Sequence, residues 1–314
     1  MSSRVVVLTG ASSGIGRAAA KAFAARGDRL VLAARGLGDL ETVAAECGGD
    51  PLVVRADVTD RDTLDRLVEA AVQRYGRIDV WADTAAVMAY GRFEELPAEV
   101  FDRVVATDLL GSANVARAAL RQFRAQGHGT LILCGSLLGH VTVPYMSAYV
   151  TSKWGLRGLT RTLHQEVRDL PGVHVCSIEP GSVDTPIYTS AANYAGFVGR
   201  PPPPVDPPSR MGDAIVRSAD RPRLERSVGP ANGFVEFGFT WLPWVYDAWV
   251  GRLARRMALS GRSTSQVDGN VFEARSRVEG GPVRWGRARI GVLVGAVAGL
   301  AVLAVGGLVH QQRR

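Results

Sequence analysis

Lysine is almost missing from this chain: Lys21 and Lys153 stand alone against 35 arginines among 314 residues. Where Arg supplies nearly all the positive charge, a retained Lys points to chemistry that a permanently charged guanidinium cannot perform. Cysteine is scarce too. Cys47, Cys134 and Cys176 are too few and too scattered for a disulfide framework, none lies in a Cys-x-x-Cys pair, and no metal site is expected. They read as small core residues in a reducing compartment. The N-terminus has no signal-peptide core, since only Val5 to Leu8 precede Thr9 and Gly10, so the folded body is expected in the cytosol. Helix-turn-helix, zinc-finger and RNA-binding motifs are missing as well, which argues against nucleic acid despite a formal net charge of +7. That charge is local: residues 250–314 hold 11 arginines and 3 acids, and the rest of the chain is nearly balanced.

A hydrophobic content of 46% is ample for a core. Short apolar runs (Val5–Leu8, Leu30–Ala33, Leu52–Val54, Ile78–Trp81, Leu131–Leu133, Val173–Ile178) alternate with amphipathic stretches such as Arg61–Tyr75. A helix near Arg210–Ala219 and a last strand around Arg226–Val228 continue the pattern. This predicts an α/β fold with a doubly wound, Rossmann-like parallel sheet over residues 1–230, interrupted by a Pro/Gly-rich substrate loop at 188–209. An aromatic helical extension is expected over 231–259 and a polar linker over 260–289. Trp241, Trp244, Tyr246 and Trp249 allow that extension to cover the substrate cleft or to lie in a lipid interface.

Residues 290–309 are 20 in a row without a charge, about 30 Å of helix, enough to cross a bilayer. One transmembrane helix is therefore expected, a single-pass C-terminal anchor with the catalytic domain on the cytosolic side, because the arginines crowd its N-terminal flank. A buried hairpin or helix is the alternative.

Three motifs carry chemistry. Gly10, Ser12, Ser13, Gly14, Ile15 and Gly16 lie in a turn between the first strand and the first helix, where glycines let backbone approach a pyrophosphate and free N–H groups face it. A plain tight turn would look similar. Arg35 ends the second strand where a carboxylate would read the ribose 2′-hydroxyl of NAD, so it is suited to the 2′-phosphate of NADP, or else is merely a solvated Arg. Tyr149 and Lys153, at i and i+4, share a helix face, and the ammonium favours the phenolate. Chance gives that spacing too.

Taken with Asp57-Val58, Ser136 and Pro180-Gly-Ser-Val-Asp-Thr185, these motifs resemble the short-chain dehydrogenase/reductase family over about residues 4–229. The resemblance implies that Tyr149 is the general acid or base, that Ser136 hydrogen-bonds the reacting oxygen, and that Lys153 holds the nicotinamide ribose and lowers the Tyr149 pKa. It further implies that Asp57 and Val58 flank the adenine and that Pro180, Gly181, Val183 and Thr185 line the nicotinamide site. Two departures stand out. The family's Asn-Asn-Ala-Gly appears as Asp83-Thr-Ala-Ala86, with Ala85 still expected against the cofactor, and the helix Asn of the catalytic tetrad is Asp108, which has no amide donor.

The reading from sequence is an NADP(H)-dependent oxidoreductase acting on a carbonyl or secondary alcohol of a lipophilic substrate. A catalytically weak NADP(H)-binding scaffold or sensor is the alternative that the Asp changes allow. The family implies homo-oligomers, although the extension after Gly229 could cover their usual contact surface.

Overall fold

Val5 to Leu8 are buried on both sides, so the strand that contains them needs cover on both faces. The computed structural model describes residues 3–274 and provides that cover. Chain order runs β1 (Val5–Thr9), α1 (Gly14–Ala24), β2 (Arg29–Ala34), α2 (Leu37–Cys47), β3 (Leu52–Arg55), α3 (Arg61–Tyr75) and β4 (Val80–Asp83). After the short β5 (Ala89–Tyr90) come α4 (Ala98–Val105), α5 (Ser112–Gln126), β6 (Gly129–Cys134), α6 (Ser147–Glu166) and β7 (Val173–Pro180). Then follow β8 (Ala192–Asn193), β9 (Phe197–Gly199), α7 (Pro208–Asp220), β10 (Glu225–Val228), α8 (Asn232–Trp241), α9 (Pro243–Ala258) and β11 (Leu259–Ser263).

Seven strands form one parallel sheet in the order β3-β2-β1-β4-β6-β7-β10. The order reverses between β1 and β4, which opens a crevice at the C-terminal ends of those strands. Side chains alternate across the sheet. Val5, Val7 and Val31 join Leu64, Val115 and Leu156 from α3, α5 and α6 on one face, and Val6, Leu8 and Leu32 join Phe23, Leu40 and Ile215 from α1, α2 and α7 on the other. Each such fully buried side chain contributes roughly 1.5–3 kcal/mol. Gly212 lets α7 sit on α1, because a Cβ there would lie 2.7 Å from the Ala18 carbonyl oxygen.

Local chemistry sets the element ends. Asp60 caps α3 by accepting from Asp62 N–H at 3.0 Å, and Gly76, at φ +80°, ends it. Between α4 and α5 the chain widens into a π-helical stretch, Ala106–Gly111, which carries Asp108. Such widenings recur at functional sites.

The aromatic extension becomes α8 and α9. Tyr246 packs on Phe239 edge to face at 5.2 Å between centroids, Phe239 meets Trp154, and the Tyr246 hydroxyl donates to the Thr142 carbonyl at 2.8 Å. Residues 260–274, within the stretch read from sequence as a polar linker, complete β11 against β9 and then run back over the body.

The expectation of a membrane protein needs correction. Among the described residues no helix is long and apolar enough to cross a membrane: α9 has 16 residues and carries Arg252, Arg255 and Arg256, a length of about 24 Å. The expected span, residues 290–309, lies outside the described residues. The single-pass localisation and the transmembrane helix of the fold reading are therefore withdrawn.

Candidate active site

All the motif residues gather at the C-terminal edge of the sheet, around the β1/β4 crevice. Gly10 follows β1 at φ +74°, and a Cβ there would stand 2.5 Å from Ala85 N; only glycine allows this approach of turn to strand end. A Cβ at Gly16 would overlap the Gly10 carbonyl oxygen. Ser13 takes the N-cap position of α1 without a side-chain cap bond, and Ser12 and Ile15 lie beside it, so the helix N-terminus keeps its N–H groups free of side-chain caps. Across the crevice Thr185 comes within 3.2 Å of a Cβ built on Gly14. The geometry fits a pyrophosphate-bearing dinucleotide, since two backbones close on a gap that side chains would fill.

Asp57 follows β3. It accepts from Thr59 N–H at 2.9 Å and Thr59 Oγ1 at 2.8 Å and pairs with Arg103 at 3.0 Å. Burial pushes its pKa up, but those hydrogen bonds and the guanidinium hold it below its ordinary value. Val58 is buried, and its carbonyl accepts from Asn114 Nδ2 at 3.1 Å. On the other side, Pro180 ends β7, Gly181 N–H donates to the Val228 carbonyl at 2.9 Å, and the buried Val183 bridges to Asp206. Arg35 stands at the end of β2 as expected, but its guanidinium is engaged by backbone carbonyls of residues 270–272.

Ser136, Tyr149 and Lys153 are 8%, 8% and 2% exposed. Ser136 leaves β6, accepts from Leu138 N–H at 3.1 Å through Oγ, and has its own N–H fixed by Glu179 Oε2 at 2.7 Å. Lys153 Nζ lies 5.3 Å from the centre of the Tyr149 ring, donates to the Cys134 carbonyl at 2.9 Å and faces Asp108 Oδ2 at 4.0 Å. Burial raises the Tyr149 pKa above its ordinary value; Lys153 opposes this but does not outweigh it. The net effect at Tyr149 is therefore a rise, not the lowering expected from Lys153, because desolvation is the larger influence. Burial likewise pulls Lys153 down, yet the negative charges that a Tyr149 phenolate and an Asp108 carboxylate would carry outweigh it and favour the ammonium.

Asp108 is fully buried. Its Oδ1 accepts from Val87 N–H at 2.8 Å, its Oδ2 has no hydrogen-bond partner, and burial pushes its pKa up to about 7 against the pull of Lys153. Asp83 is buried in a different way: it accepts from Thr9 Oγ1 and Ser112 Oγ, both at 2.7 Å, and from Ala85 N–H at 3.3 Å. Ionisation of either acid is disfavoured by desolvation.

Glu179 was not singled out from sequence. It is 1% exposed, holds Ser136 N–H and the Ser177 hydroxyl, and has its pKa pushed up to about 7 by burial. Its signal was available: an acid inside the apolar run of β7 must find a partner.

A glycine turn at the switch point facing a buried Ser–Tyr–Lys group defines an oxidoreductase of the single-domain Rossmann class. The chain belongs to the short chain dehydrogenase family, which it matches over residues 4–194. It is 33% identical over 235 residues to an uncharacterized oxidoreductase, YxnA, of Bacillus subtilis (strain 168), across 72% of this chain and 65% of that protein, just under two thirds of the relative. It is 35% identical over 189 residues to D-beta-hydroxybutyrate dehydrogenase of Rhizobium meliloti (strain 1021), covering 59% of this chain and 73% of that one. The structure of an alcohol dehydrogenase from the archaeon Thermococcus sibiricus, complexed with 5-hydroxy-NADP, is similar with a TM-score of 0.63 and 29% identity, over 72% of this chain and 95% of that one.

Proposed function

We propose that the protein interconverts a carbonyl and a secondary alcohol on a lipophilic substrate, using NADP(H). The observation that carries this reading is the burial of Ser136, Tyr149 and Lys153 together beside the glycine turn. NADP(H), when bound, supplies or accepts the hydride. Tyr149, kept protonated by burial, donates its phenolic proton to the substrate oxygen in reduction and takes it back in oxidation. Ser136 Oγ hydrogen-bonds the same oxygen, and the Lys153 ammonium steadies the phenolate as it forms. The turn from Gly10 to Gly16 would hold the pyrophosphate, Asp57, Val58 and Ala85 the adenosine, and Pro180, Gly181, Val183 and Thr185 the nicotinamide end.

A lipophilic substrate is supported by the surroundings of Tyr149, which packs with Met88, Tyr90, Met146, Val150 and Leu259. The α8–α9 aromatics close over the neighbouring loop through Thr142. Arg35 supports NADP(H) over NAD(H), because no acid stands at the end of β2 and a guanidinium pairs well with a phosphate. The Thermococcus sibiricus relative, complexed with an NADP derivative, supports the same choice. One observation favours a second reading, a coenzyme-binding scaffold with little turnover: Asp108 and Asp83 occupy the places of two Asn residues and both resist ionisation.

Purified full-length protein should consume NADPH with members of a panel of apolar ketones and should bind NADPH more tightly than NADH. Replacing Arg35 by Asp should lower NADPH affinity by about tenfold or more while sparing NADH, the loss of one charge-assisted phosphate contact. Equal affinity of the parent for both coenzymes would refute the Arg35 assignment, and binding without any turnover across the panel would favour the scaffold.

A further inference from the structure

The guanidinium assigned to the coenzyme phosphate already has partners, and they come from the far end of the described chain. Arg35 Nη2 donates to the Asn270 carbonyl at 2.7 Å, and Nη1 donates to the Val271 and Phe272 carbonyls at 3.2 and 3.4 Å. Phosphate oxygens would approach the same fork of donors. Beyond it, the Ala274 side chain lies 3.3 Å from a Cβ built on Gly36.

The rest of the segment traces a line across the crevice. Thr264 N–H donates to Gly196 O at 3.1 Å, and Val267 exchanges backbone hydrogen bonds with Asn193 at 2.7 and 3.1 Å. Tyr194 donates its hydroxyl proton to Asp268, and Asn270 N–H donates to Ser190 O at 2.8 Å. Val271, 0% exposed, is then buried with Val87, Val104 and Ala192. Val87 is two residues past Ala85 and is held by Asp108. The segment therefore passes from the substrate loop, over the end of β4, to the end of β2, the path along which the adenosine half of a dinucleotide would lie. Its seat is imperfect: Asn270 Oδ1 is buried without a hydrogen-bond donor.

We propose that residues 264–274 form an intramolecular strap that competes with NADP(H) for the adenosine end of the crevice, so that coenzyme binds as the Asn270–Phe272 carbonyls leave Arg35. The proposal rests on the reading of Arg35 as phosphate ligand. A competitor tethered to the same chain lowers apparent affinity by the fraction of molecules in which it is seated. By linkage, bound coenzyme must loosen the strap by the same factor. The substrate loop, to which the strap is bonded at Ser190, Asn193 and Gly196, would feel that release.

The test uses the full chain. Gly269→Ala cannot keep the seat, because φ is +57° and a Cβ would overlap Ser190 O and the Ala191 backbone. Val271→Asp places a carboxylate in the apolar cluster and unseats the strap independently. Both variants should lower the NADPH and NADH dissociation constants by the same factor, about tenfold or more, because both coenzymes carry the adenosine half that the strap excludes. In the unmodified chain, adding NADPH should speed hydrogen exchange at the Val267, Asn270 and Val271 amides, which decides the matter even if both variants fail to fold. Unchanged or weaker NADPH binding in folded variants, or slower exchange at those amides, would overturn the proposal. Tightening for both coenzymes with no preference for NADPH in parent or variants supports the strap but removes the phosphate role of Arg35. A parent that prefers NADPH, with neither variant tightening, removes the strap and leaves that role intact.

Discussion

In the proposed reaction Tyr149 acts through a hydroxyl that is both buried and answered by a cation. Desolvation keeps it protonated, and Lys153, 5.3 Å from the ring centre, lowers the penalty of the phenolate when it forms. Removing the hydroxyl removes the proton donor and almost none of the coenzyme's contact surface. Tyr149→Phe should therefore reduce turnover by at least about 100-fold, while the NADPH dissociation constant, measured by titration, stays within about threefold. Retention of more than about a tenth of parental turnover would exclude Tyr149 as the acid. Its neighbours separate into those that sequence announces and those it hides. Tyr149 and Lys153 are four residues apart on α6, so helix geometry alone joins them. Glu179 reaches Ser136 from another strand, 43 residues away, and no periodicity encodes that pairing. Asp108 could be named from sequence, but its unpartnered Oδ2 could not, because an unmet acceptor depends on what does not approach it.

Elements were more legible than their ends. The strands of the parallel sheet are apolar runs buried on both faces, and the alternation of Val5, Val7 with Val6, Leu8 assigns them to opposite helical layers. Residues 260–274 read as part of a polar linker for a physical reason: they are polar and lack helical or strand periodicity. What holds them is mostly main-chain hydrogen bonding, to Ser190, Asn193 and Gly196 and from Arg35 to the 270–272 carbonyls, with the Tyr194–Asp268 bond and one buried apolar side chain, Val271. Main-chain bonding of that kind leaves no trace in side-chain pattern. The glycine turn is the opposite case, since Gly10 and Gly16 mark places where a Cβ would collide. Gly16→Ala should abolish measurable NADPH binding and destabilise the fold by about 1–3 kcal/mol, because the methyl overlaps the Gly10 carbonyl oxygen and crowds Thr84 Oγ1. Denaturant unfolding beside a coenzyme titration checks both effects. Intact NADPH affinity in the variant would show that the turn does not need glycine at this position.

The site also shapes the pH dependence of the whole molecule, because it holds carboxylates that folding keeps neutral. Asp108 and Glu179 are both pushed up to about 7 by burial, from ordinary values of 3.8 and 4.5. Between those values the folded chain retains protons that the unfolded chain has released. The resulting stability is fully present below the unfolded pKa values and is lost as pH rises through about 7. Asp83, raised by the same desolvation, acts in the same direction. His140 acts oppositely: burial lowers its pKa, so its contribution falls as the medium becomes acidic. Asp57, held low by Thr59 and Arg103 against the effect of burial, matters only in more acidic solution. The carboxylates outnumber the histidine, and the melting temperature should fall from about pH 5 to about pH 8. Asp108→Asn and Glu179→Gln each retain a side-chain oxygen to accept from Val87 N–H or Ser136 N–H, yet neither can ionise. Each should flatten the decline, and the double variant should flatten it most, by an amount on the order of a few kcal/mol across the interval. Calorimetric melting of the parent and the three variants at a series of pH values measures this. If the double variant declines as steeply as the parent, the protons released across that range come from groups other than these two acids.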